Sequence, residues 1–150
     1  MDLILWRHAD AEDGFPDRGR KLTAKGEKQA AQMAAWLRQR LPKDARVISS
    51  PARRAQQTAQ ALTGNFETLA DVDVGVDAVL LLNAVGWPDA SGTVVVVGHQ
   101  PSLGRVAALL LMGSEEDWSV KKGGVWWFTN RVRDERRSVV LRAVLGADLV

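Results

Sequence analysis

Cysteine is absent from the 150-residue chain, which excludes disulfides, thiolate nucleophiles and zinc–thiolate sites. Long apolar runs are absent too. The start, Met1-Asp2-Leu3-Ile4-Leu5-Trp6-Arg7, is acidic at position 2 and holds four apolar residues in a row, whereas a secretory core needs roughly 7–15. The run from Val106 to Met112 is far short of the roughly 20 residues that cross a bilayer. These absences predict a cytoplasmic protein with no membrane partner. Neither sign of charge dominates: 20 Lys and Arg face 18 Asp and Glu, for a net +2. Charge alone therefore gives no argument for nucleic acid. Neither G-x-x-x-x-G-K-S/T nor G-x-G-x-x-G occurs, so no nucleotide-phosphate cradle is expected. Histidine is scarce, with two copies.

The remaining composition, 46% hydrophobic and 25% charged, is that of an ordinary globular protein. A length of 150 residues without repeat or linker predicts one domain, residues 1–150. Leu3-Ile4-Leu5-Trp6 reads as a strand covered on both faces, since it is continuously apolar. Thr23 can cap a helix running to about Arg40, with Ala30, Met33, Leu37 and Leu41 on its apolar face and Pro42 stopping it. Arg46-Val47-Ile48-Ser49 reads as a second strand. Ser50-Pro51 resembles a cap followed by proline at the first helical position, opening a helix to about Leu62. The stretch 66–74 is ambiguous, with room for one short strand before a helix over 76–85. Thr93 and the four valines after it form the clearest strand, and Pro101 opens a helix to about Met112. Two late strands, 125–129 and 138–145, flank a charged turn at 131–137. Strands alternating with helices predict a three-layer α/β/α sandwich: a mostly parallel sheet with an antiparallel edge.

Both histidines fall at strand ends. The first strand delivers Arg7-His8-Ala9, and the second delivers Ser49-Ser50-Pro51 with Arg54 one turn on. The valine strand delivers Gly98-His99-Gln100-Pro101. Open α/β sheets bind ligands beyond the carboxyl ends of their strands. Singly, each of these residues reads as a loop or surface group. Jointly, two arginines and two histidines at one sheet edge make a phosphate site, because the guanidinium fork matches phosphate oxygens. Helix N-termini after Ser50 and Gln100 would add backbone donors. A neutral imidazole can act as nucleophile near neutrality when its proton is held on the far nitrogen. Arginines stabilise the transferring phosphoryl group without a metal, and two histidines with no nearby carboxylate spacing make a poor metal site. No cofactor or metal is expected.

Four motifs carry a family resemblance. They are Arg7-His8-Ala9, Arg20-Lys21-Leu22-Thr23-Ala24-Lys25-Gly26-Glu27-Lys28-Gln29-Ala30, Ser50-Pro51-Ala52-Arg53-Arg54-Ala55-Gln56-Gln57-Thr58-Ala59, and Gly98-His99-Gln100-Pro101. In this order they resemble the histidine phosphatase (phosphoglycerate mutase-like) superfamily. Ala9 stands where the hallmark has glycine, which is similar to the small bacterial phosphohistidine phosphatases of the SixA type. The resemblance implies that His8 is the phosphoryl-accepting nucleophile and that Arg7 and Arg54 clamp the phosphate. It implies that His99 donates to the phosphoryl group and that Arg20 lies near it. Arg53 does not match the motif's arginine and is expected to face solvent.

Many relatives use a carboxylate after the third strand to protonate an ester leaving group. Here the candidates are Asp71, Asp73 and Asp77, with Asp10, Glu12 and the less favoured Glu67, and none sits in a recognisable motif. A phosphorylated histidine releases imidazole and needs less acid help than an alkoxide. The expected substrate is a phosphorylated protein, such as a histidine phosphotransfer domain. A small phosphate ester is the alternative, and a non-catalytic phosphate or phosphoprotein-binding module the second. Trp126-Trp127 on a late strand would point to opposite faces, which suggests a partner surface if one ring is exposed.

Overall fold

Every interior position of the central strands is apolar because helices cover both faces of the sheet. The computed structural model describes residues 1–150. In chain order the elements are β1 (Asp2–Arg7), α1 (Ala24–Arg38), β2 (Arg46–Ser49), α2 (Arg53–Leu62), β3 (Glu67–Thr68), α3 (Ala78–Ala84), β4 (Thr93–Gly98), α4 (Ser102–Met112), β5 (Val125–Arg133) and β6 (Arg136–Leu145). The sheet order is β3-β2-β4-β1-β5-β6. The first four strands in that order run parallel, and β5 and β6 add the antiparallel edge. This is the three-layer arrangement expected from the strand and helix pattern.

Side chains alternate across the sheet with period two. Leu3 and Leu5 of β1, with Val94 and Val96 of β4, face α3 and α4 through Leu81, Val85, Leu103 and Val106. Ile4 and Trp6, with Val95 and Val97, face α1 and α2 through Met33, Leu37, Ala55 and Ala59. Each large side chain so buried is worth about 1.5–3 kcal/mol over exposure. The pairing of β1 with β4 matches Arg7 to Gly98, and that of β2 with β4 matches Ser49 to Val97. Three carboxyl ends are thus brought level.

Several boundaries differ from the sequence expectation. α1 ends at Arg38 rather than Arg40. α2 begins at Arg53, two residues after Pro51, and Ser50 caps no helix; its hydroxyl accepts from the Ala52 N–H at 3.1 Å. The ambiguous stretch holds a two-residue β3 and a 3-10 turn at Ala70–Val72. β5 and β6 are longer than expected and meet at Asp134-Glu135, both in the left-handed region (φ 49° and 63°). The expected seven-residue turn is therefore a two-residue one, since paired left-handed residues match the twist of a hairpin. Trp127 is buried, donates from its indole to Asp2 and lies under the Arg142 guanidinium. Trp126 is half-buried beside Trp118 and Phe128. Neither ring is left exposed, which removes the observation that suggested a partner surface there. No helix is long and apolar enough to cross a membrane.

Candidate active site

β1 ends on Arg7 and hands the chain to His8, whose backbone N–H still bonds the Gly98 carbonyl at 3.0 Å. β4 ends one residue before His99, and the Ser50 N–H bonds the Val97 carbonyl at 3.1 Å. The two imidazoles meet with ring centres 5.1 Å apart. His8, His99 and Arg54 are 8%, 3% and 3% exposed. Together with Arg7 and Arg20 they line one cleft of about 290 Å³. All five residues expected at a phosphate site therefore come together.

Hydrogen bonding fixes the tautomer of His8. Its Nδ1 lies 2.8 Å from the Ala9 carbonyl, which can only accept, so Nδ1 carries the proton. Its Nε2 lies 3.3 Å from Arg54 Nε, which can only donate, so Nε2 presents a lone pair. Burial pushes the His8 pKa down to about 4, and the Arg54, Arg7 and Arg20 charges push the same way against the Ala9 hydrogen bond. His8 is therefore neutral near pH 7.

Ser50 orients His99. Its Oγ lies 2.7 Å from His99 Nε2 and 3.4 Å from Asp73 Oδ1. These contacts hold the His99 ring in place; its proton sits on Nδ1 when the Ser50 hydroxyl donates to Nε2, and on Nε2 when that hydroxyl donates to the Asp73 carboxylate. Nδ1 is buried without a partner, and so is Arg7 Nε. Buried polar atoms seldom stay unpaired, and two such atoms beside one cleft, one of them a guanidinium donor, fit a polar ligand. Burial, then the neighbouring His8 and Arg54, hold the His99 pKa down to about 3.

Arg54 is held by the loop between β1 and α1. Its Nη1 donates to the Asp17 carbonyl at 2.9 Å and its Nη2 to the Asp17 carboxylate at 3.2 Å. Arg20 donates to Asp17 at 3.1 Å and to the Glu12 carbonyl at 3.2 Å. Arg7 Nη1 donates to the Val120 carbonyl at 2.8 Å. The motif Thr23 and Gly26 act beneath the site. Thr23 Oγ1 accepts from the Gly26 N–H at 3.0 Å, capping α1. A Cβ on Gly26 would stand 1.9 Å from the Asp10 carbonyl oxygen, so only glycine lets α1 approach the chain after His8.

The candidate leaving-group acids are mostly occupied elsewhere. Asp77 caps α3 through Val79 and Leu80. Glu67 pairs with Arg46, and Asp71 is exposed. Asp10 bonds Lys122 and Thr23, and Glu12 turns only its carbonyl to Arg20. Asp73 is buried, pairs with Arg18 and accepts from the Val74 N–H. Asp13, which the sequence did not single out, is the one carboxylate lining the cleft, and it is exposed. The expected helix donors are partly used up too: the Gly104 N–H bonds the Gln100 side chain at 2.8 Å, and Ser50 takes that of Ala52. Arg53 is exposed, as expected. Ser50 and Asp17 were missed as site residues because their roles depend on contacts across 49 and 37 positions that no local spacing records; Asp73, a candidate acid in the sequence, instead contacts Ser50 across 23 positions.

A family model, the histidine phosphatase superfamily (branch 1), matches residues 3–81. This chain belongs to that superfamily. Phosphohistidine phosphatase SixA of Escherichia coli is 32% identical to it over 124 residues, covering 75% of this chain and 76% of that protein. An uncharacterised protein of Picosynechococcus is 33% identical over 138 residues, covering 83% and 82%. The solved structure of the protein histidine phosphatase SixA complexed with tungstate superposes with a TM-score of 0.80 at 26% identity, covering 99% of both chains. The chain is thus a histidine phosphatase of the SixA branch, a hydrolase from a family that needs no metal.

Proposed function

We propose that this phosphatase removes the phosphoryl group from phosphorylated histidine on a protein, by way of a covalent phosphohistidine at His8. The observation that carries the reading is the fixed tautomer of His8, with its Nε2 lone pair turned into a cleft whose buried floor bears no free carboxylate. In the first step the Nε2 lone pair attacks phosphorus. The substrate ring enters protonated on its other nitrogen; the bond from phosphorus to the substrate imidazole breaks, its electron pair stays on the nitrogen that held phosphorus, and neutral imidazole departs with that proton. In the second step water attacks phosphorus, the bond to Nε2 breaks, the pair returns to His8, and the water proton passes to solvent. Arg54 Nε is freed to donate to a phosphoryl oxygen once Nε2 is bonded to phosphorus. Arg7 Nε, unpartnered, is a donor for a second oxygen, and His99 Nδ1 serves a third in the tautomer whose Nε2 accepts from Ser50. Fixed donors of this kind supply most of the barrier lowering in phosphoryl transfer.

An imidazole leaving group also suits the carboxylates present. A general acid for an alkoxide needs a raised pKa, which apolar walls provide, and Asp13 stands on an exposed loop. The tungstate bound by SixA is a tetrahedral oxyanion like phosphate. The test is turnover of a phosphorylated histidine phosphotransfer domain against a sugar phosphate. The reading expects the phosphoprotein to be preferred at least 100-fold, on the order of 3 kcal/mol. Equal or faster turnover of the sugar phosphate, abolished in Asp13→Asn, would establish the ester reading instead. Tight phosphate binding without turnover of either would make the chain a binding module.

A further inference from the structure

Beside the active-site cleft lies a second and larger one, of about 510 Å³, lined by Lys25, Lys28, Lys121 and Lys122 with one carboxylate, Asp148. We infer that this lysine cleft docks an acidic face of the phosphorylated protein, an inference that rests on the proposed phosphoprotein substrate. Lys122 lines both clefts, so the two adjoin at that side chain.

The lysines are displayed on rigid supports. Lys25 and Lys28 are three residues apart on α1 and share one face. Lys121 and Lys122 sit on a segment bonded to the nucleophile's own strand. The Gly123 N–H reaches the Arg7 and His8 carbonyls at 3.1 and 3.2 Å. The Trp6 indole donates to the Gly123 carbonyl at 3.0 Å. A protein seated on these lysines is therefore held at a fixed offset from His8.

Their placement works against local stability. Lys25 lies in the first turn of α1, at the positive end of the helix dipole, where cations are disfavoured. Lys122 pairs with Asp10, but Lys25, Lys28 and Lys121 take part in no ion pair. A chain of net charge +2 thus gathers four cations around one concave surface, which focuses the field and raises association rates with an anion. The chemistry favours protein carboxylates over nucleic acid. Lysine is a compact point charge, and no aromatic ring lines the cleft to stack a base.

The experiment uses the exposed triple variant Lys25→Glu, Lys28→Glu, Lys121→Glu and its milder counterpart with glutamine at all three, leaving Lys122 in place. Each is assayed on a phosphorylated, net-acidic histidine phosphotransfer domain and on phosphoimidazole, across a salt series. The inference expects kcat/KM on the phosphoprotein to fall at least tenfold for the glutamate variant and several-fold for the glutamine one, through KM. It expects the salt dependence of the wild type to flatten in both, with phosphoimidazole turnover unchanged. Unchanged kcat/KM on the phosphoprotein at low salt in both variants would overturn it. So would binding of a single-stranded polynucleotide that the variants lose while phosphoprotein turnover stays the same. Wild-type turnover of phosphoimidazole with none of the phosphoprotein would instead overturn the substrate reading itself, and the inference with it.

Discussion

His8 and His99 at strand ends and Arg54 in the first turn of α2 are 8%, 3% and 3% exposed, whereas Phe15, at 99%, stands on the loop that rims the neighbouring surface. The floor is over-determined. His8 is gripped by Ala9 and Arg54, His99 by Ser50, and Arg54 by Asp17. The rim has almost nothing of the kind: no side-chain hydrogen bond holds Asp13, and no apolar contact covers Phe15. The difference teaches where the chemistry resides. Transition-state stabilisation needs groups that do not reorganise during reaction, and only the floor offers them. The rim can influence which substrate arrives.

The contrast can be broken from the floor outward. His8→Ala removes the nucleophile and should cost about 10⁴-fold or more in kcat on a phosphoramidate, measured against wild type with the fold checked by circular dichroism. Arg54→Ala should cost about 10²–10³-fold and raise the His8 pKa from about 4, because the Arg54 charge helps depress it; histidine proton titration by NMR reads that shift. Stability should follow pH through the same residues. His8 and His99 have folded pKa values of about 4 and 3, below the ordinary 6.5. Between those limits the unfolded chain binds more protons, so stability falls as pH drops below 6.5. The loss should be on the order of 3 kcal/mol for each histidine by pH 4, read by denaturant unfolding. Ser50→Ala frees His99 Nε2 and should cost about tenfold in kcat, with little change in KM. At the rim, Phe15→Ala and Asp13→Asn should change phosphoimidazole turnover by less than about twofold, in keeping with exposed positions. A tenfold loss at either would mean that the rim takes part in the chemistry.

The strand ends were legible in the sequence because burial on both faces leaves a continuous apolar run, and the polar residues that end the run mark the sheet edge. Arg7, His8, Arg54, His99 and Arg20 were found this way and by the motifs, and they converge as expected. The start of α2 was misread because Ser50-Pro51 has the composition of a helix start, while the Ser50 hydroxyl is drawn to His99 across 49 positions. The β5–β6 turn was misread because charged residues from Arg131 to Arg137 resemble a loop; they are outward-facing ends of two paired strands. Gly26 is visible in the sequence only as part of a motif, because its need for bare backbone comes from Asp10, 16 positions earlier. Contacts of this range leave no local periodicity.

The most direct test of the central claim is to trap the intermediate. The phosphatase is mixed briefly with a phosphohistidine donor, quenched in base, and its peptides are mapped for acid-labile phosphate. The account predicts one such phosphate, on His8, absent from His8→Ala. Wild-type turnover with no phosphate on His8, or with the label on His99, would contradict it.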